Sequence, residues 1–227
     1  MLVSESGSAC GTYTTLAGHS RNEIDIKRSR FIALLTSIDS EEAARDHIAA
    51  ARREFPDARH HCSAYVVGPH RHLQRTNDDG EPSGTAGQPM MEALIRSQSA
   101  GGATDLSDIV AVTVRYFGGT LLGTGGLARA YSGSVTAALA ASTFRTRRRV
   151  RNFSVMAAHE NAGRLEHELR STGVTISGIR YTSTGAELDC AVLDEPARTE
   201  SFLNGVAIFG SGAIEPVDHG TSWMDHD

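Results

Sequence analysis

Residues 109–141 read IVAVTVRYFGGTLLGTGGLARAYSGSVTAALAA, and the organisation of the chain follows from them. Ile109 to Val114 is a β-branched run, the composition of a strand buried on both faces. The run breaks into Gly118, Gly119, Gly123, Gly125 and Gly126. From Leu127 the apolar period changes to that of a helix, with Leu127, Ala130, Tyr131, Ser134, Val135 and Ala138 on one face. A strand, a glycine loop and a helix in that order suit an anion. Glycine lets backbone N–H groups approach a ligand closely, and a helix N-terminus adds partial positive charge.

Charge is distributed to match. Between Ile109 and His159 there is no Asp or Glu, but there are seven arginines: Arg115, Arg129, Arg145, Arg147, Arg148, Arg149 and Arg151. The flanks are acidic, net −4 over residues 1–108 and −8 over 160–227, so the overall −5 hides a strongly basic centre. With 227 residues, 40% hydrophobic and 22% charged, the composition is that of a water-soluble chain of one large or two small domains. No apolar run approaches the ~20 residues of a membrane span. The first residues, MLVSESGSACGTY, have neither the basic start nor the apolar core of a secretory signal. Cys10, Cys62 and Cys190 are odd in number and widely spaced, which argues against a disulfide framework and for a reducing, cytoplasmic location.

Taken in order, residues 1–11 read as a loose terminus. Thr12 to Ile38 reads as two extended segments around a turn at Gly18 to Asn22. Ser40 is placed to cap a helix with Glu41 and Glu42 in its first turn, ending at Pro56. A short strand, Cys62 to Val67, precedes a long loop from Pro69 to Gln88. A connector of that length inside a compact domain is either functional or mis-assigned. Pro89 opens the next helix, and Ser99 to Ser107 leads to the central strand. Residues 12–142 then form a first domain and 143–148 a linker. Residues 149–217 form a second domain with the order βαββαβ, a ferredoxin-like arrangement, its last strand at about 206–216. Residues 218–227 read as a frayed tail. The class is α+β throughout.

Three groups of residues carry candidate chemistry. Gly123-Thr124-Gly125-Gly126-Leu127-Ala128 fits G-x-G-x-x-A, formally a dinucleotide fingerprint, but no acid follows before Glu160 to meet a ribose. Tight backbone packing would use the same glycines. His60, Asn77, Asp78, Asp79, Glu81, Ser83 and Thr85 gather polar groups for a cleft. They offer a divalent metal, acid–base work, a simple turn, or a loop acid paired with Arg115. No ligand spacing supports a metal, and no base is placed to make Ser83, Thr85 or Thr120 a nucleophile. Arg145, Arg147, Arg149 and Arg151 alternate as a phosphate-contacting strip would, yet share parity with Phe153, Val155 and Ala157, which need a core. A linker or a bulge at that point would reconcile the two.

Four segments together resemble the IMPACT/YigZ family. They are Lys27-Arg28-Ser29-Arg30-Phe31-Ile32-Ala33, His60-His61-Cys62-Ser63-Ala64-Tyr65, Asn77 to Pro89 (NDDGEPSGTAGQP), and Val114 to Leu127 (VRYFGGTLLGTGGL). The resemblance covers the first domain by motif and the second by architecture. Asn77 stands where relatives usually have Ser or Thr. The resemblance implies a first domain like the second domain of small-subunit ribosomal protein S5. It also implies a second domain like the ferredoxin-like domains of elongation factor G. Folds of that kind suggest RNA or ribosome contact, by analogy only. The eukaryotic relatives act in translational control through a protein partner.

The reading is an RNA- or ribosome-binding protein that modulates translation, with no catalytic residue, cofactor or metal assigned. Its anion contacts are expected at Arg115, Tyr116, Gly118, Gly119, Thr120, Gly123, Gly125, Gly126, Arg129, Arg147 and Arg149. An enzyme acting on a small phosphorylated or nucleotide-like molecule through Asp78, Asp79 and Glu81 is the alternative. A protein–protein adaptor is the second.

Overall fold

The computed structural model describes residues 11–98 and 102–226. The expected loose start at 1–10 and part of the connector from Ser99 lie outside them. The chain is α+β and divides into two compact units, the boundary falling after Thr146.

The first unit begins with β1 (Thr12–Leu16), β2 (Ser20–Ile26) and β3 (Ser29–Ser37), three strands where the sequence suggested two segments. The break is the turn at Lys27 and Arg28, both with positive φ, where no glycine or proline marks a turn in the sequence. Helix α1 (Glu41–Glu54) starts as expected, with the Ser40 side chain accepting from the Ala43 N–H at 3.2 Å. Strand β4 (His60–Val67) pairs with β5 (Leu73–Asn77), which occupies what read as the first half of a long loop. Strand β5 is a polar edge strand, LQRTN, so it has no apolar alternation to announce it. Helix α2 (Gly87–Arg96), β6 (Ile109–Tyr116) and α3 (Thr124–Ala140) complete the unit.

Its sheet runs β2-β3-β6-β4-β5, with all pairings antiparallel. Strand β6 is central and buried from Ile109 to Arg115, as its unbroken β-branched run requires. Its two faces serve two cores. Ile109 and Ala111 pack with Met90, Leu94, Leu127 and Tyr131 of α2 and α3. Val110, Val112 and Val114 pack with Ala44, Ala51 and Phe55 around α1. Every residue expected on the buried face of α3 is buried there. Both neighbours of β6 are antiparallel to it, which excludes the parallel β-α-β unit that a dinucleotide fingerprint needs.

Strand β7 (Phe144–Ala157) begins in the first unit, pairs with β1, and continues into the second. The expected linker at 143–148 is therefore mostly strand. The second unit continues with α4 (His159–Ser171), β8 (Thr175–Tyr181), β9 (Ala186–Leu193), α5 (Pro196–Phe209) and β10 (Val217–His226). The order βαββαβ holds, but its last strand is displaced. Residues 206–209 extend α5, and the tail expected to fray is β10, which pairs with β7. Polar residues with little alternation, VDHGTSWMDH, concealed the strand.

One strand accommodates both arginines and core residues because β7 is longer than the core beneath it. Phe153, Val155 and Ala157 pack with Leu165, Leu188 and Phe202. Arg147, Arg149 and Arg151 lie ahead of these core residues on the strand and meet acids of the second unit. Arg149 Nε lies 2.6 Å from Asp194, Arg151 Nη2 lies 2.7 Å from Asp218, and Arg147 Nε lies 3.3 Å from Asp225. No bulge interrupts the pairing of residues 150–157 with β9. The strip expected to contact phosphate through Arg147 and Arg149 carries a row of partly exposed ion pairs, because the basic centre and the acidic end of the chain fold together. Among the described residues no helix is long and apolar enough to cross a membrane.

Candidate nucleic-acid interface and the loop that supports it

The loop between β5 and α2 is held by its own acids. Asn77 Oδ1 accepts from the Asp79 N–H at 2.8 Å, an Asx turn, and Asp79 and Gly80 both take positive φ. Asp78 then reaches forward: its Oδ2 accepts from Gly84 N at 2.7 Å, its Oδ1 from Ala86 N at 3.0 Å and Gly87 N at 2.8 Å. Ala86 has no side-chain oxygen to cap α2, so Asp78 does so from eight residues upstream. Thr85 donates to the Pro82 carbonyl, and Ser83 is exposed. Asp79 accepts from the His61 N–H at 2.6 Å and pairs with Arg52 at 2.5 Å. His60 Nδ1 lies 2.9 Å from the Asp79 carbonyl.

Glu81 goes inward. Its carboxylate, 4% exposed, accepts from Arg115 Nη1 at 2.6 Å and from the Tyr131 hydroxyl at 2.7 Å, with His60 Nε2 at 3.9 Å. The fold adopts both structural alternatives that the sequence offered, the turn at Asn77 to Gly80 and the pairing of a loop acid with Arg115. Arg115 is consequently interior, its guanidinium neutralised, and is no surface phosphate contact. Beside it, Cys62 donates to the Asp78 carbonyl, and burial pushes its thiol up to about 12, which leaves little thiolate. Burial and the neighbouring Cys62 and Glu81 raise the Tyr131 hydroxyl as well. The three loop carboxylates thus support the fold. Among the described residues no group of three or more His, Cys, Asp or Glu side chains could hold a metal ion.

Asp78 gives this support a pH signature. Burial raises its carboxyl, but the backbone N–H groups of Gly84, Gly87 and Ala86 outweigh that and hold it below the usual range. A carboxyl lowered in the folded state contributes fully above its unfolded value of about 3.9. The contribution is lost as pH falls through the lower folded value. Asp78→Asn is therefore expected to be less stable than the native chain at pH 7, with the difference shrinking below about pH 4. Urea melts at several pH values check this; a constant difference across the series would contradict it.

The glycine loop itself divides by function. Gly118 lies against the β2–β3 turn: a Cβ there would stand 1.9 Å from the Arg28 carbonyl oxygen. Its N–H donates to the Ser29 hydroxyl at 3.1 Å, which joins the first of the four motifs to the last. Gly119, Gly123 and Gly125, by contrast, border open space, and Gly126 meets only the Leu122 Cβ, at 3.1 Å. Helix α3 starts after Gly123 with no side-chain cap and no acid in its first turn. Thr120 and Arg129 are exposed, while Tyr116 is half-buried and donates to Asp57 at 2.7 Å. Lys27 and Arg28, on the turn that touches Gly118, are exposed too. What the structure brings together is an acid-free backbone loop, an uncapped helix N-terminus and two cations. Arg147 and Arg149 belong to the second unit and its ion pairs.

The chain is similar to known proteins. The Impact N-terminal domain matches residues 27–139, which span all four motifs. The chain is 40% identical over 191 residues to IMPACT family member YvyE of Bacillus subtilis, covering 84% of this chain and 83% of that one. It is 50% identical over 117 residues to IMPACT family member YigZ of Escherichia coli, about half of each chain (51% and 54%). A crystal structure described only as that of a hypothetical protein superposes with TM-score 0.65 at 33% identity. That match covers 91% of this chain and 97% of the other. The chain belongs to the IMPACT family.

Proposed function

We propose that this protein binds RNA, free or within the ribosome, through the exposed glycine loop of its first unit, and that it modulates translation in the cytoplasm. The observation that carries the reading is the surface of residues 117–126. It has no ionisable side chain, opens onto the uncapped start of α3, and lies against the turn bearing Lys27 and Arg28. Such a surface offers backbone N–H groups, a positive dipole end and two exposed cations, with no carboxylate among residues 117–126 to repel a phosphate. Arg129 adds a third exposed cation one turn into the helix. The fold supports the reading by analogy. We read the first unit as like domain two of ribosomal protein S5. The second, with βαββαβ order and sheet order β10-β7-β9-β8, we read as ferredoxin-like.

Binding of a fluorescent structured RNA and of purified ribosomes, measured across a salt series, tests this. Each phosphate contact contributes about 0.9 to the slope of log affinity against log salt for a duplex. Replacing Lys27 and Arg28 by glutamine should flatten that slope by about 2 and weaken binding at least tenfold at low salt. Affinity indifferent to salt, or none at low salt, would refute the proposal.

A further inference from the structure

We infer that the loop takes single-stranded RNA, with one base stacked on the ring of Phe117; this rests on the RNA-binding reading above. Phe117 is 49% exposed and Leu121 84%, two large apolar side chains on either side of Gly118, Gly119 and Thr120. A half-exposed ring on an open glycine loop is not used by the core and is available to a ligand. The ring is also backed. The Arg115 guanidinium lies 5.5 Å from its centroid, and Arg115 in turn is fixed by Glu81 and lies 5.5 Å from the Phe31 ring. A ring supported by a buried, ion-paired guanidinium is held in place before a ligand arrives, so less side-chain freedom is lost on binding. Arg115 acts here as a positioning residue.

The neighbours identify the ligand. Lys27 and Arg28, against Gly118, favour a polyanion, and the open space at Gly119 lets a sugar–phosphate backbone approach the chain. A flat aromatic face beside phosphate-binding groups matches a nucleotide whose base is free to stack. In a duplex the bases cover one another and present only their edges, so the ring has nothing to meet. The preference is for loops, ends and unpaired segments. Stacking is tolerant of base identity, so little sequence selectivity is expected.

The test uses the full chain with a short unstructured RNA oligonucleotide carrying 2-aminopurine, and the same strand annealed to its complement. The single strand should bind at least tenfold more tightly than the duplex, with the 2-aminopurine fluorescence quenched on binding. Phe117→Ala should lose about ten- to a hundredfold in affinity for the single strand and abolish the quench, leaving the salt dependence in place; Phe117→Trp should restore both. Because Phe117 is half exposed, its removal leaves the core intact, which a thermal melt verifies. Equal binding of both forms, unaffected by Phe117→Ala yet steep in salt, overturns the stacking inference and leaves the RNA-binding reading standing. Binding of neither form at low salt overturns both.

Discussion

Replacing Gly118 by alanine should destabilise the first unit by about 3–5 kcal/mol, lowering its melting temperature by about 10 °C or more. Gly118 does not have positive φ, so the cost is not one of backbone conformation. It is a collision. The added methyl would stand 1.9 Å from the Arg28 carbonyl oxygen, 2.0 Å from its carbon and 2.5 Å from the Ser29 nitrogen. All three are backbone atoms of a turn closed by the antiparallel β2–β3 ladder, so no rotamer change relieves the contact. Either the turn or the start of the glycine loop must move, and the Gly118–Ser29 hydrogen bond is lost with it. Gly125→Ala is the control. It lies in the first turn of α3 with nothing within 4 Å of its Cβ position, and alanine there should stabilise by about 0.5–1 kcal/mol. Melts of the two variants beside the native chain decide the matter. Equal, small effects would mean that the loop and the turn are not in contact.

Arg115→Met is expected to cost a comparable amount, about 3–5 kcal/mol, by stranding the Glu81 carboxylate. Glu81 and Arg115 are 4% and 7% exposed at their side chains, and the single hydrogen bond left to Glu81, from Tyr131, cannot replace a guanidinium. Removing both charges in Arg115→Met/Glu81→Gln should recover much of the stability, since the penalty lies in the unpaired ion rather than in the missing pair. Denaturant titration of the four members of this cycle gives the coupling. If the double variant is as unstable as the sum of the singles, the two side chains do not form a buried pair. The same variant bears on binding, because loss of Arg115 frees the Phe117 ring from its support.

Local pattern carried most of the architecture. The β-branched run Ile109 to Val114 can only be a strand buried on both faces, and the period change at Leu127 can only be a helix with one apolar stripe. Ser40 with Glu41 and Glu42 announces α1, and four motifs in order reveal the family. These readings succeed because each depends on residues adjacent in sequence, where propensity and periodicity act. Strands β5 and β10 escaped because edge strands are held by backbone pairing and need no apolar alternation. The site divided along the same line. Its residue types were legible: glycines, arginines and loop acids. Which arginine is buried, which is paired and which is free was settled only when distant segments met. Arg115 is neutralised by Glu81, 34 positions away, and Arg151 by Asp218, 67 positions away, while Lys27 and Arg28 remain exposed beside Gly118. The sequence by itself determined the helices, the central strand, the family and the basic centre of the chain. The tertiary structure alone decided where those charges are spent, because a charge is free or neutralised according to what folds against it.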